Sequence, residues 1–268
     1  MKQLDLGVLD DPVLIFGGPY SNLQATQAVL AEAARRDIAP ARVICTGDVV
    51  AYCGHPVETI AAIRAFGCAV VAGNCEKQLA AYKDNCGCGF EAGTTCDLLS
   101  AGWYAHASAT VEVEDRVWMG QLPDMILFTH HGRKVAVIHG GISDISRFIW
   151  LTDPESVFAG EIKKIQVIEP QTSRVFAGHS GIPFQRDISG VHWVNAGVVG
   201  LPPHDGQPAT RYAVMQDGQV TIHALTYDHH AAKSAMHKVG LRQGYDRALV
   251  SGYWPSEDVL PPALRAIG

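Results

Sequence analysis

Five apolar runs of strand length in this chain stop at glycine: Phe16-Gly17-Gly18, Thr46-Gly47-Asp48, Ala72-Gly73-Asn74, Ile138-His139-Gly140 and Ala177-Gly178-His179. In the last four, the glycine adjoins a carboxylate, an amide or an imidazole. Runs this short, bounded by glycine, are buried strands. Between the first three lie amphipathic stretches with helical signals. Asn22–Arg36 opens with Asn22 as a cap, and Pro56–Gly67 has proline at its first position and glycine at its end. Strand, helix, strand, helix, strand makes βαβ units and a parallel sheet. In such sheets ligands bind beyond the carboxyl ends of the strands. Asp48, Asn74, His139 and His179 are therefore expected to meet on one rim. One carboxylate, one amide oxygen and two imidazoles suit a borderline divalent ion such as Mn, Fe or Zn.

The remainder is read more coarsely. Residues from about Glu76 to Pro123 are expected to be helical, interrupted by the Cys- and Gly-rich stretch Lys83–Cys96. Met125–Gly141 reads as two strands around the turn His131-Gly132-Arg133, with His130 and His131 solvated. Arg174–Phe184 reads as strand, loop and the start of another strand. Val191–Gly197 and Ala209–Leu225 read as an antiparallel tail with a hairpin turn at Asp217-Gly218. A helix near His229–Val239 precedes an irregular end. One domain, 1–268, is expected, with a C-terminal helix and tail from about 226 to 268.

Composition narrows the partners. The net charge is −6 and the pI near 6.0, which argues against a general nucleic-acid binder. No apolar run approaches the ~20 residues of a spanning helix, and the acidic start, MKQLDLGVLDD, is unlike a signal peptide. A soluble, cytoplasmic protein without membrane contact is expected. The seven cysteines, all within the first 96 residues, are odd in number and clustered. Reduced thiols are the expectation, with Cys86, Cys88 and Cys96 as structural bystanders.

The order of these motifs resembles the calcineurin-like metallophosphoesterases, especially the small bacterial phosphodiesterase and diadenosine-tetraphosphatase-like branch. That family reads D-x-H, G-D, G-N-[HC]-[DE], a single H before Gly, then G-H-x-H. Here the same places hold Gly18-Pro19-Tyr20, Gly47-Asp48, Gly73-Asn74-Cys75-Glu76, His139-Gly140 and Gly178-His179-Ser180-Gly181. The resemblance spans about residues 12 to 240, including VNAGVVGLP and TRYAV. It implies an α/β fold, a four-layer αββα sandwich with two packed mixed sheets flanked by helices. It also implies two metal sites. Gly18, Tyr20 and Gly181 replace the private ligands of one, while Asp48, Asn74, His139 and His179 complete the other.

The expectation is thus a metal-dependent phosphoesterase-like hydrolase acting on a small phosphorylated compound. One divalent ion is expected, with Cys75, Glu76 or Tyr20 assisting catalysis. Cys53 or His55, in the loop after Asp48, could supply a rebuilt second ion site. Two other readings stand beside it: a catalytically silent relative that binds a phosphorylated ligand, and a mononuclear iron site used for redox chemistry. The oligomeric state is left open by the sequence.

Overall fold

The computed structural model describes residues 1–266; the last two residues of the expected tail, 267 and 268, lie outside the described residues. The chain opens with β1 (Gln3–Val8), whose mostly exposed side chains gave no apolar signal. The wholly buried β2 (Val13–Phe16) follows. Next come α1 (Leu23–Arg35), β3 (Val43–Cys45), α2 (Pro56–Phe66) and β4 (Ala69–Val70). Asn22 caps α1 through the Ala25 N–H, 3.1 Å away, and α2 ends on Gly67 in left-handed conformation. The middle of the chain holds α3 (Asn74–Ala80), α4 (Thr95–Thr110) and α5 (Val113–Gln121), with no helix or strand over residues 83–94. Then come β5 (Met125–His130), β6 (Arg133–Val137), α6 (Glu155–Ile168) and β7 (Thr172–Ala177). The chain closes with β8 (Phe184–Ile188), β9 (Val191–Asn195), β10 (Thr210–Gln216), β11 (Gln219–Leu225), α7 (His229–Lys238) and α8 (Tyr245–Ser251).

These strands form two mixed sheets flanked by helices. One has the order β1-β5-β6-β7-β9-β8 and the other β11-β10-β2-β3-β4. Side-chain alternation divides the interior accordingly. Val13, Ile15 and Ile44 face Phe128, Val137, Phe176 and Val194 between the sheets. Leu14, Phe16, Val43 and Cys45 point the other way, into a core shared with α1, α2 and α4. The outer face of the six-stranded sheet packs Val175 and Trp193 against Phe158, Ile162 and Ile165 of α6. The αββα expectation therefore holds.

Two local expectations are corrected. The supposed antiparallel tail is split: β9 runs parallel to β7 in one sheet, while β10 and β11 complete the other. Apolar alternation fixes a strand's faces but not its sheet, and Asn195 to Thr210 spans the crossing. His130 is buried rather than solvated. Its Nδ1–H donates to the Leu9 carbonyl at 2.5 Å and its Nε2 accepts the Gly218 N–H at 3.3 Å, tying the end of β1 to the β10–β11 turn. Beyond these, α8 lies between the expected His229–Val239 helix and the irregular end from Ser251, where no element was expected.

β2, β3, β4, β6 and β7 deliver the glycine-bounded segments. Gly17 bridges in parallel to Val198, and Gly178 lies near Thr46, since a Cβ there would sit 2.5 Å from Thr46 Oγ1. The two sheets thus present their strand ends to one another, which builds the site.

Candidate metal centre

Asp48 follows β3 in left-handed conformation, with φ of 53°. Gly47 before it has φ of 98°, and a Cβ there would lie 2.7 Å from the Gly73 nitrogen and 2.8 Å from His139 Nδ1. Only glycine permits that approach. Glu76, fully buried in the first turn of α3, holds the arrangement from behind. Its carboxylate accepts the Asp48 and Gly73 N–H groups at 2.8 Å and the Val50 N–H at 3.3 Å. Burial, and then the neighbouring Asp48, push its carboxyl up to about 7. Both Glu76 oxygens are turned to backbone, so the carboxyl expected to act as a catalytic group sits as a clamp beneath Asp48.

Asp48, Asn74, His139 and His179 converge as the motif order implied, and all four are buried. His139 Nδ1 donates to the Thr46 carbonyl at 2.7 Å, which fixes the ring tautomer. In the neutral ring Nε2 then carries a lone pair. That nitrogen lies 3.1 Å from Asn74 Oδ1, 3.1 Å from His179 Nδ1 and 3.3 Å from Asp48 Oδ2. Asn74 donates its Nδ2 to the Cys86 carbonyl at 2.9 Å, so its oxygen is the atom left facing the cluster. Two oxygens and two imidazole nitrogens thus meet around His139 Nε2. With the His179 proton on Nε2, all four could turn lone pairs to a cation between them.

Asp48 and His139 act strongly on one another. Burial alone would raise the Asp48 carboxyl, but the His139 ring beside it outweighs burial and lowers it. Burial would lower His139, but Asp48 raises it on balance. Burial and then repulsion from His139 push His179 down to about 4, leaving it a neutral ligand. His179 Nε2 is buried without a hydrogen-bond partner. Among the described residues, Asp48, His139 and His179 are the one group of three or more His, Cys, Asp or Glu with donor atoms close enough to share an ion, within 4.8 Å of one another.

Cys53 and His55 do not join this group. Cys53 Sγ faces the Gly200 carbonyl at 3.9 Å, and His55 caps α2 with its backbone bonded to Ser21. The loop between Asp48 and α2 is pinned to the β2 turn, and neither Cys53 nor His55 is in the Asp48–His139–His179 group. Cys75 does reach the cluster, donating its N–H to Asp48 Oδ1 at 3.4 Å. Burial, and then Asp48, push its thiol well up, so it stands beside the cluster as a neutral thiol. Tyr20 bonds the Asp48 carbonyl through its N–H at 3.1 Å. Its ring meets Tyr52 edge-on at 4.7 Å. A Cβ on Gly18 would fall 2.6 Å from Tyr20 Cζ and 2.7 Å from Val198 Cγ1. Aromatic and aliphatic atoms occupy that side of the rim.

Residues 20–218 match the calcineurin-like phosphoesterase superfamily domain. The chain belongs to that superfamily. It is 25% identical over 241 residues to an uncharacterized protein of Methanocaldococcus jannaschii, covering 81% of this chain and 88% of the other. Among solved structures it is similar in fold to a metallophosphoesterase from Sphaerobacter thermophilus. There the TM-score is 0.69 and the identity 21%, over 91% of this chain and 100% of that one. A hypothetical protein from Pyrococcus horikoshii OT3 superposes with a TM-score of 0.74 at 16% identity, over 90% of this chain and 98% of that one. Among the described residues of this calcineurin-like chain no helix is long and apolar enough to cross a membrane.

Several participants escaped the sequence. Thr46 sets the His139 tautomer through its carbonyl, which no side-chain pattern reveals. Phe148 lies with its ring 4.3 Å from His179, and Tyr245, Trp254 and Phe90 line a cavity that also touches Tyr20 and His179. These aromatics come from segments far apart in sequence, so no local spacing announces them. The expected reduced thiols are corrected as well: Cys86 and Cys88 form a disulfide, with their Cα atoms 5.3 Å apart. Gly87 between them, at φ of 60°, makes the reversal that brings them together.

Proposed function

We propose that the protein is a metal-dependent, phosphoesterase-like hydrolase for a small phosphorylated compound, working with one divalent ion, Mn, Fe or Zn, held by Asp48, Asn74, His139 and His179. The observation that carries this reading is the convergence of four buried side chains of metal-ligating type, three of them with ligand atoms within 4.8 Å of one another. A bound ion supplies Lewis-acid polarisation and a more acidic water. The chain's own residues supply the rest. Glu76 fixes Asp48 through its backbone, Thr46 holds His139 in one tautomer, and Cys75 braces the Asp48 carboxylate through its N–H. In this reading Gly18, Tyr20 and Gly181 mark the family's other ion site, here closed by the Tyr20 ring, so Tyr20 forms a wall for the substrate.

The placement of Tyr20 favours a second reading, a silent relative that binds a phosphorylated ligand without turning it over. The Asp48, His139 and His179 trio, two imidazoles and a carboxylate, suits a third, a redox-active iron site. Elemental analysis of purified protein, paired with hydrolysis of bis-(4-nitrophenyl) phosphate, separates them. About one Mn or Zn per chain with measurable turnover is expected. An ion without turnover transfers the conclusion to the binding reading, and iron with a redox signal and no turnover to the third. Protein that takes up no divalent ion overturns the proposal.

A further inference from the structure

The Cys86-Gly87-Cys88 turn is bonded to both halves of the metal cluster. Asn74 Nδ2 donates to the Cys86 carbonyl at 2.9 Å and lies 3.5 Å from the Sγ atoms of both Cys88 and Cys75. The Gly87 carbonyl accepts the Ser146 hydroxyl. Two residues on, the Phe148 ring packs 4.3 Å from His179. Two sulfur atoms and the Cys86 carbonyl thus gather around the amide that orients one ligand, and the same turn is bonded to the segment that packs against another.

We propose that Cys86 and Cys88 are a thiol–disulfide exchange site whose redox state sets the metal affinity of the neighbouring cluster, with a dithiol as the co-reactant. This rests on the metal reading above. A thiolate of the dithiol attacks one sulfur of the Cys86–Cys88 bond, which breaks to leave a mixed disulfide and a second thiolate that takes a proton. The second thiol of the dithiol then displaces the first cysteine. Two electrons and two protons pass to the protein, and the reductant leaves as its own disulfide.

Access comes from the surroundings of the pair. Cys86 and Cys88 are buried, but Ala81–Asn85 and Gly89 are exposed, and residues 83–94 have no helix or strand to unfold. A short local opening therefore exposes the bond. Once it is reduced, the turn is no longer closed on itself, and the Cys86 carbonyl is no longer fixed against Asn74. The amide can rotate, so its oxygen no longer faces the cluster by default. Loss of a group that orients a ligand weakens metal binding by ~10- to 100-fold.

The test compares oxidised protein with protein reduced by dithiothreitol and desalted under argon. Thiol titration and intact mass count the cysteines, and titration calorimetry gives the Mn²⁺ dissociation constant. Two additional thiols and ~10-fold weaker Mn²⁺ binding on reduction are expected. Cys86→Ser/Cys88→Ser should bind like the reduced form under both conditions. Asn74→Ala should bind weakly and equally in both. Equal Mn²⁺ affinity in the two states, or free thiols at 86 and 88 after diamide treatment, overturns this inference while leaving the metal reading standing. Absence of Mn²⁺ binding in either state overturns both.

Discussion

Two sides of one rim obey different chemistry. On one, Asp48, Asn74, His139 and His179 aim lone pairs at a common point, braced by Glu76 and Thr46. On the other, Tyr20 fills the space between Gly18, Val198 and Tyr52. The first side draws on the ends of β3, β4, β6 and β7, the second on the turn after β2. The first buries polar groups that gain from a charge between them, while the second buries mainly aromatic and aliphatic surface. The contrast shows that neighbouring strand ends of one scaffold can carry different chemistry.

The largest effect should come from removing the aromatic filling. Tyr20 is 4% exposed, and Tyr20→Ala should lower stability by ~3–4 kcal/mol, in the range for large aromatic truncations. A urea melt checks this, and a loss below ~1 kcal/mol would mean that the ring is not structural filling. Next, Asp48→Asn removes the one carboxylate of the cluster and should weaken Mn²⁺ binding by at least ~100-fold, about 2.7 kcal/mol. Titration calorimetry reads it, and unchanged affinity would break the polar half of the comparison.

Glu76→Gln leaves one acceptor oxygen where the carboxylate serves three backbone N–H groups. A stability loss of ~1–3 kcal/mol is expected, accompanied by weaker metal binding; weaker binding without lost stability would point to direct ligation. Gly18→Asp alone should cost ~1–3 kcal/mol through overpacking and add no ion. Combined with Tyr20→His and Gly181→His, it should move stoichiometry toward two. A second ion in the single variant would show that Tyr20 does not close that side.

The smallest effect serves as a reference outside the rim. Arg35, helped by Tyr212 and Arg36, holds the Glu32 carboxyl down at about 2 against an ordinary 4.5. A depressed carboxyl stabilises the fold above its unfolded pKa, and this contribution fades as pH falls from about 4.5 toward 2. Solvent screening limits it to ~1 kcal/mol. Glu32→Gln should flatten acid sensitivity by that amount in thermal melts between pH 5 and 2.5, without altering Mn²⁺ affinity at neutral pH.

Much of this was legible before any coordinates. The glycine-ended apolar runs gave β2, β3, β4, β6 and β7, because burial on both faces leaves an uninterrupted signature. The same runs placed Asp48, Asn74, His139 and His179 at strand ends, but the expected single sheet is two: β3 and β4 lie in one, β6 and β7 in the other, and the site forms where their ends face each other. Asn22 and Gly67 marked helix ends because capping is local chemistry. By contrast β1, mostly exposed, carried no pattern, and β9 could not be assigned to its sheet from its own residues.

The sequence by itself determined which side chains stand at the strand ends, because a period of two and a glycine stop are written in consecutive residues. Tertiary structure alone decided what those side chains do. Glu76 became a backbone clamp, Cys53 turned to the Gly200 carbonyl, and Cys86 came to hold the Asn74 amide. Each outcome depends on which atoms from distant segments arrive within hydrogen-bonding distance, and close packing settles that only when both sheets and their helices are in place.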